Sequence, residues 1–251
     1  ASLLAVREPC ATRRMTLVER LCTADRGSTV SGDWTVALAG ICGTPPFVHS
    51  RCGLFVAESP SEAPLEVDAW QNATATTSGA LALPGDSTFI QVLPHGELRG
   101  VTAVAGAAPL YHAVDGDREA VATSLSDLCQ FFFSSPRVDF EALAVLMALD
   151  VWLDRRTFVR GVSAIPPGHR FAVRGGLSAR PYWEISEPPP GRDDRRGFIE
   201  AARAVRSALL DTLGQTLSDD CNLLTVSGGV DSSAVLALAT TRLNKPVHAV
   251  T

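Results

Sequence analysis

The sequence predicts an α/β protein in two parts, with antiparallel sheets first and the start of a parallel sheet after them. Three observations support this prediction. Pairs of short β-forming runs joined by turns occupy residues 87–124, and a proline-rich, charged stretch occupies residues 186–197. Residues 222–251 then follow the order strand, glycine-containing loop, helix and strand, which is the order of a βαβ unit.

Several runs in the first part have the composition of strands. Residues 34–43 and 51–58 mix β-forming and small residues. Two longer segments, 87–104 and 108–124, each contain two strand-like runs around a polar turn. Together they predict an antiparallel meander. We interpret His112, which lies in the second of these segments, as a packing residue.

One helix and one further strand are predicted before the proline-rich stretch. Apolar residues recur at three- and four-residue steps across residues 139–149, which predicts an amphipathic helix with Asp139 at its N-cap. The turn Pro166-Pro167-Gly168 then leads into a strand at His169–Val173.

The stretch 186–197 predicts an interdomain linker, because three prolines followed by mixed charges offer little to a core. It separates a predicted domain 1–185 from a predicted domain 198–251. The second domain opens with a helix whose apolar stripe runs from Phe198 to Leu213, and the βαβ unit follows. One such unit does not complete a domain, so we expect the second domain to begin here and to be unfinished.

Charge and hydropathy exclude two classes of partner. The chain has 251 residues, a net charge of −5 at pH 7 and a pI near 5.5. Neither nucleic acid nor an anionic membrane surface would be attracted to it overall. No run approaches about 20 uninterrupted apolar residues, and the first residues lack the apolar segment of a signal peptide. We therefore predict a cytoplasmic globular protein that binds neither nucleic acid nor membrane.

The most specific chemistry lies in the run SGGVDSS, residues 227–233, which we call the glycine loop. Glycines between a strand and a helix let backbone N–H groups approach an anion, and the helix N-terminus adds free N–H groups. Asp231 would repel a phosphate unless a cation such as Mg²⁺ lies between them. The alternative is a tight turn with a helix cap, and the lysine of a Walker A loop is absent.

The glycine loop after an apolar strand resembles the pyrophosphate loop of the N-type ATP pyrophosphatases, which include the asparagine synthetases. Upstream, APLYHAVDGDREAVATSLSDL resembles an asparagine synthetase pattern, and TFVRGVSAIPPGHRFAV followed by ARPYWEI resembles the segment joining that family's two domains. The resemblance implies a degenerate Ntn-glutaminase-like α+β domain with antiparallel sheets over residues 1–185. It implies the start of a parallel-sheet ATP-pyrophosphatase domain, of the adenine nucleotide α-hydrolase type, over residues 198–251.

The glutaminase-like domain departs from the family pattern, and we expect it to be inactive. Active members carry an N-terminal cysteine, whereas this chain begins with Ala1, and we interpret Cys52 as structural. The family's glutamine-binding motifs are also absent. Because no ammonia from glutamine is expected, the chain most resembles the ring-closing branch, the lasso peptide macrolactam synthetases (cyclases) and the β-lactam synthetases.

The resemblance implies an ATP-dependent, AMP-forming C–N ligase. It would adenylate a carboxylate, release pyrophosphate and close a lactam ring with an amine of the same small-molecule or precursor-peptide substrate. The alternatives are an asparagine synthetase or amidotransferase that uses free ammonia, and a non-catalytic member that binds a partner or precursor peptide. A precursor-processing protease or the remainder of the synthetase domain is the implied protein partner.

By resemblance, ATP and Mg²⁺ bind at the glycine loop. Thr225 and Val250 would flank the adenine, and Asp231 would hold Mg²⁺. The residues that this pattern places around the nucleotide are Thr225, Ser227, Gly228, Gly229, Val230, Asp231, Ser232, Ser233 and Val250. No catalytic residue is assigned within the chain, because the family's catalytic base follows later in its sequences. The resemblance therefore implies that the chain is a fragment or one piece of a split enzyme.

Overall fold

The computed structural model describes residues 2–8, 10, 11, 13, 15, 17, 27–31, 34–39, 47–50, 53–58, 72–81, 88–106, 109–185 and 195–251. The chain divides into two compact units, Ala1–Ile185 and Ser186–Thr251. Most of the predicted linker, residues 186–194, lies outside the described residues. Its last residues, 195–197, lie at the start of a helix.

The first unit contains two sheets of six strands each among its described residues. The first sheet comprises Ser2–Arg7 (β1), Gly27–Ser31 (β2), Trp34–Ala39 (β3), Leu110–Asp115 (β8), Arg118–Ala122 (β9) and Val162–Ile165 (β10). The second comprises Phe47–Ser50 (β4), Gly53–Glu58 (β5), Thr88–Val92 (β6), Leu98–Val101 (β7), His169–Val173 (β11) and Leu177–Pro181 (β12). Their strand orders are β10-β8-β9-β1-β3-β2 and β12-β11-β7-β6-β5-β4. Every described pairing in them is antiparallel, which confirms this part of the predicted fold class.

The two predicted hairpins are present, but they do not form one meander. Strand β6 pairs with β7 in the second sheet, whereas β8 pairs with β9 in the first. Turn residues between two β-forming runs indicate a hairpin because the contact is local. The sheet that a hairpin joins depends on partners far along the chain, so the meander prediction is wrong.

Strand β1 shows how the first unit is layered. Leu3 and Ala5 belong to a buried cluster that also contains second-sheet residues such as Phe171. Leu4 and Val6, which alternate with them, belong to a separate buried cluster. Successive side chains of a strand point to opposite faces. The first sheet is therefore covered on both faces at β1, by the second sheet on one side and by other elements on the other.

A π-helical segment that follows a short helix provides part of that second cover. The first unit contains Thr77–Leu81 (α1) and Leu125–Asp127 (α2), and α2 continues into a π-helical segment, Leu128–Phe132. The backbone N–H of Asp127 donates to Ser124 Oγ at 3.3 Å, which caps α2. Phe131 and Phe132 of the π-helical segment lie in the same cluster as Leu4 and Val6.

The predicted helix after this segment is confirmed, but the burial of its apolar side is not. The helix spans Phe140–Leu149 (α3), and Asp139 is its N-cap, accepting from the backbone N–H of Ala142 at 3.1 Å. Phe140 is 73% exposed and Met147 is 80% exposed, whereas Ala142 is buried. The repeat of apolar residues therefore predicts the helix correctly and its packing incorrectly.

The second unit confirms the predicted βαβ order. It consists of Arg195–Thr216 (α4), Asn222–Thr225 (β13), Val230–Thr241 (α5) and Val247–Val250 (β14). Strands β13 and β14 are parallel, and α5 connects them. Helix α5 begins at Val230, earlier than the predicted start near Ser232. Among the described helices, none combines the length and the apolar character that crossing a bilayer requires.

Candidate functional site

The strand pair of the second unit brings two of the predicted site residues together. Thr225 and Val250 lie opposite each other in the β13–β14 register, each at the carboxyl end of its strand. The backbone N–H of Val226 donates to Val250 O at 2.7 Å, which extends the pairing by one residue. Ligands of open parallel sheets bind beyond the carboxyl ends of the strands. The glycine loop leaves β13 at this edge.

Gly228 determines the shape of the glycine loop. Its φ of +78° lies in the left-handed region, which glycine adopts without the penalty of a side chain. A Cβ at this position would meet no atom within 4 Å, so the backbone conformation and not a lack of space favours glycine. Gly229 follows in an extended conformation, with φ −74° and ψ 164°, and is the N-cap of α5.

The start of α5 leaves several amide groups without a protein acceptor. Among the described residues, four N–H groups at this point donate to no protein atom: those of Gly228, Val230, Asp231 and Ser232. The N–H of Ser233 is used within the protein, since it donates to Gly229 O at 3.2 Å. Free N–H groups and the positive end of the helix dipole attract an anion. The local backbone is thus suited to bind negatively charged oxygen atoms.

The hydroxyl of Ser232 connects the glycine loop to α5. The backbone N–H of Ser227 donates to Ser232 Oγ at 3.3 Å, and Ser232 Oγ donates to Gly229 O at 3.4 Å. The two hydroxyl oxygens of Ser227 and Ser232 lie 3.3 Å apart. These distances are at the long end of the hydrogen-bond range, so a stronger acceptor would compete for both hydroxyls.

Asp231 is exposed in the first turn of α5, and it forms no ion pair among the described residues. Within the described part of the chain, no group of three or more His, Cys, Asp or Glu side chains gathers to hold a metal ion. A divalent cation here would therefore have one protein carboxylate as a ligand, and phosphate and water oxygens would complete its coordination. Mg²⁺ is commonly held in this way, so Asp231 fits a cation that arrives with a phosphate.

The first unit contains a buried charged cluster that the sequence pattern did not reveal. Glu119, which is 4% exposed, accepts from Arg7 Nη1 at 2.9 Å and from the backbone N–H of Gly175 at 3.1 Å. Nε2 of buried His112 lies 3.6 Å from Glu119 Oε1. His112 is buried as a packing residue would be, but its Nε2 has no hydrogen-bond partner among the described residues, and this charged neighbour was not anticipated. Finding this pair from the sequence would require the pairing of β8 with β9, which places His112 and Glu119 on the same face of the sheet.

The predictions for Ala1 and Cys52 fall outside the described residues.

We predict that His112 makes the protein less stable as the pH falls. Burial lowers the pKa of His112 below its usual 6.5, and Glu119 opposes this shift. The unfolded chain therefore takes up a proton at a higher pH than the folded chain. Neutral His112 makes its full contribution to the unfolding free energy above pH 6.5. This contribution declines as the pH falls through the lowered pKa.

The test is urea unfolding at a series of pH values for the native protein and for His112→Gln. The variant should lose less unfolding free energy than the native protein when the pH drops below 6.5. Equal slopes for the two proteins would show that His112 does not carry this dependence.

The chain has limited similarity to known proteins. No family model matches it. The amidase chyE of Penicillium rubens is 33% identical over 89 residues, which are 34% of this chain and 13% of that protein. The chain thus matches only a small part of this relative, which is named as an enzyme.

Two solved structures are similar to this chain over 99% of its length and 65% of theirs. One is a glutamine phosphoribosylpyrophosphate amidotransferase from B. subtilis complexed with ADP and GMP, at 10% identity and a TM-score of 0.43. The other is described as the allosteric regulatory enzyme of purine biosynthesis, at 12% identity and a TM-score of 0.42. These TM-scores are too low to assign a fold or a function to this chain. The fold assignment rests on the sheets described above.

Proposed function

We propose that this chain carries the nucleotide-binding start of an ATP-dependent synthetase that adenylates a carboxylate and forms an amide bond. The observation that supports this most directly is the group of unused amide N–H groups around Gly228, at the carboxyl edge of β13 and β14. Such a group binds polyphosphate oxygens without a lysine. The sequence SGGVDSS adds the family resemblance stated above.

Each part of the edge has a role in this proposal. The free amides of Gly228, Val230 and Asp231 contact the β- and γ-phosphates, and the hydroxyls of Ser227, Ser232 and Ser233 donate to the same oxygens. Thr225 and Val250, opposite each other in the strand register, flank the adenine. Asp231 holds Mg²⁺, which when bound neutralises phosphate charge that the carboxylate would otherwise repel.

The loop amides would also contribute to the rate. When the carboxylate of the substrate attacks the α-phosphate, negative charge develops on the departing pyrophosphate. Fixed N–H groups that already point at this charge stabilise it without reorganising. The left-handed conformation of Gly228 fixes the loop backbone, whose N–H groups would be such donors.

The second step is proposed to be ring closure by an amine of the same substrate, either a small molecule or a precursor peptide. This part rests on the sequence resemblance, because the glutamine-binding motifs of the ammonia-producing members are absent. A precursor-processing protease would be a partner if the substrate is a peptide. Ammonium-dependent amide formation by the intact protein would instead favour the ammonia-using alternative.

The direct test is binding of MgATP and of magnesium pyrophosphate to the intact protein, measured by isothermal titration calorimetry. Both should bind, and pyrophosphate should compete with ATP because the two share the glycine loop. A folded protein that binds neither ligand would contradict the proposal and favour the non-catalytic, partner-binding alternative.

Gly228→Ala should weaken MgATP binding by about tenfold, because moving the loop backbone misaligns its charged hydrogen bonds. Alanine at a φ of +78° should also cost about 1 kcal/mol of unfolding free energy. Gly116→Ala is a matched control, since Gly116 has a φ of +64° and also has no atom within 4 Å of a Cβ. It lies in the turn between β8 and β9.

Calorimetry and thermal unfolding of both variants separate the two effects. Gly116→Ala should lose similar stability and keep native MgATP affinity. If both variants bind MgATP equally well, the conformation of Gly228 is not part of a nucleotide site.

A further inference from the structure

A cavity of about 200 Å³ lies in the first unit, beside the start of β8 and the end of β10. Its apolar lining includes Leu110, Ile165 and Pro167. An apolar cavity of about 150 Å³ accommodates benzene. This cavity, which we call the tryptophan cavity, therefore has room for one small organic group, the size of a single amino-acid side chain.

Trp152 gives the tryptophan cavity an aromatic lining. Its ring stacks on that of Phe158, with centroids 5.7 Å apart and an angle of 28° between the planes. Trp152 is 42% exposed, so the stacking orients a ring that a ligand can still reach. The face of an indole ring attracts cations more strongly than the other aromatic side chains do.

Two polar side chains that line the cavity have no hydrogen-bond or ion-pair partner among the described residues. The two lining residues are Tyr111, whose side chain is half-buried, and Asp154, whose side chain is exposed. Burial raises the pKa of Tyr111, so its hydroxyl remains neutral and keeps both a proton and acceptor lone pairs. A carboxylate, a neutral hydroxyl and an indole face each attract a positively charged hydrogen-bond donor.

Asp154 has an uncommon backbone conformation, which it shares with Asp150. Its φ of +58° is in the left-handed region, which is uncommon for residues other than glycine. Aspartate and asparagine tolerate this conformation better than most residues.

The charge of the other ionic group in the lining is already compensated. Arg156 also lines the cavity, but its Nη2 donates to both carboxylate oxygens of Asp139, at 2.8 and 2.9 Å, and to Glu141 Oε2 at 3.1 Å. Two carboxylates thus surround one guanidinium. Arg155, next to Asp154 in the chain, is not among the described lining residues. The uncompensated charge of the lining is therefore that of Asp154.

We propose that the tryptophan cavity binds an organic ammonium group on a short apolar stem. The stem contacts the apolar lining, and the ammonium lies against the indole face of Trp152. It donates to the carboxylate of Asp154 and to the hydroxyl oxygen of Tyr111. A lysine side chain of a peptide and a free alkylamine share this chemistry. The site belongs to the first unit and needs neither ATP nor the glycine loop, so it does not depend on the proposed function.

The test titrates the intact protein with n-butylammonium and with n-butanol, which has the same stem without the charge. Binding is followed by the indole N–H signal of Trp152 in nitrogen-15 NMR spectra, assigned by its loss in Trp152→Phe. The ammonium should bind with a dissociation constant of about 1 mM, as expected for so small a ligand. The alcohol should bind at least about tenfold more weakly, because it lacks the charged hydrogen bond.

Asp154→Asn and Asp150→Asn form a matched pair of variants. Asp150 is also a left-handed aspartate, with a φ of +56°, and it is exposed and is not among the cavity's described lining residues. Asparagine preserves the backbone conformation at both positions, so both variants should fold. Asp154→Asn should weaken n-butylammonium binding by about tenfold, and Asp150→Asn should leave it unchanged.

A third titration, with lysine capped at both backbone ends, identifies the source of the ammonium. Tighter binding of the capped lysine than of n-butylammonium supports a peptide side chain, and the reverse order supports a free amine. Equal binding of alcohol and ammonium, equal effects of the two aspartate variants, or no shift of the Trp152 signal would each overturn the proposal.

Discussion

Asp231→Ala is expected to reduce ATP–pyrophosphate exchange by the intact protein at least ~10²-fold, which is the loss typical of removing one oriented group that stabilises developing charge. Asp231 is an exposed carboxylate in the first turn of α5 and forms no ion pair among the described residues. Without it, the proposed site would lose its protein ligand to Mg²⁺. The free amides of the loop would remain, but the cation would have no fixed position among them.

The fold should survive this substitution. An acidic residue in the first turn of a helix contributes about 0.3–1 kcal/mol through the helix dipole, and an exposed position adds little else. Asp211→Ala is the matched control, since Asp211 is an exposed aspartate on α4 of the same unit. It should retain both exchange and thermal stability. Native rates of exchange in folded Asp231→Ala would remove Asp231 from the site.

Trp34→Ala is expected to lower the unfolding free energy by about 3–5 kcal/mol, the usual range for removing a large buried aromatic side chain. Trp34 is 0% exposed and lies in the cluster that contains residues of both sheets. Its Nε1–H donates to Gly96 O at 3.1 Å. The substitution leaves a cavity between the sheets and removes the donor from this carbonyl group.

Urea unfolding followed by circular dichroism measures this loss without depending on tryptophan fluorescence. Trp152→Ala is the control, because this side chain is 42% exposed and its contact with Phe158 should be worth about 1 kcal/mol. Trp34→Phe should give an intermediate loss, since phenylalanine fills much of the space but donates no hydrogen bond. A loss below about 1 kcal/mol for Trp34→Ala would contradict a core position between the sheets.

Local features of the fold were predictable, and long-range ones were not. The hairpins, the N-cap Asp139 and the βαβ order depend on residues close together in the chain. The assignment of hairpins to different sheets depends on distant partners. The exposure of Phe140 and Met147 was also unpredictable, because an apolar repeat indicates a helix whether or not another element covers it.

The two candidate sites differ in the same way. The glycine loop is contiguous, so its sequence shows both the glycines and the carboxylate of Asp231. The tryptophan cavity combines residues from separate segments, including Leu110, Trp152 and Ile165. Only the three-dimensional structure shows that Tyr111 and Asp154, whose polar groups have no partner among the described residues, line one cavity.

The position of β1 in the first sheet has a consequence for synthesis of the chain. This strand lies between β3 and β9, and Leu4 pairs with Ala122. The apolar side chains of β1 therefore emerge from the ribosome long before the strand that covers one of its edges has been made. Pairings between distant segments form slowly and leave apolar strands open to aggregation in the meantime. We therefore expect the nascent chain to be most prone to aggregation before β9 has been synthesised.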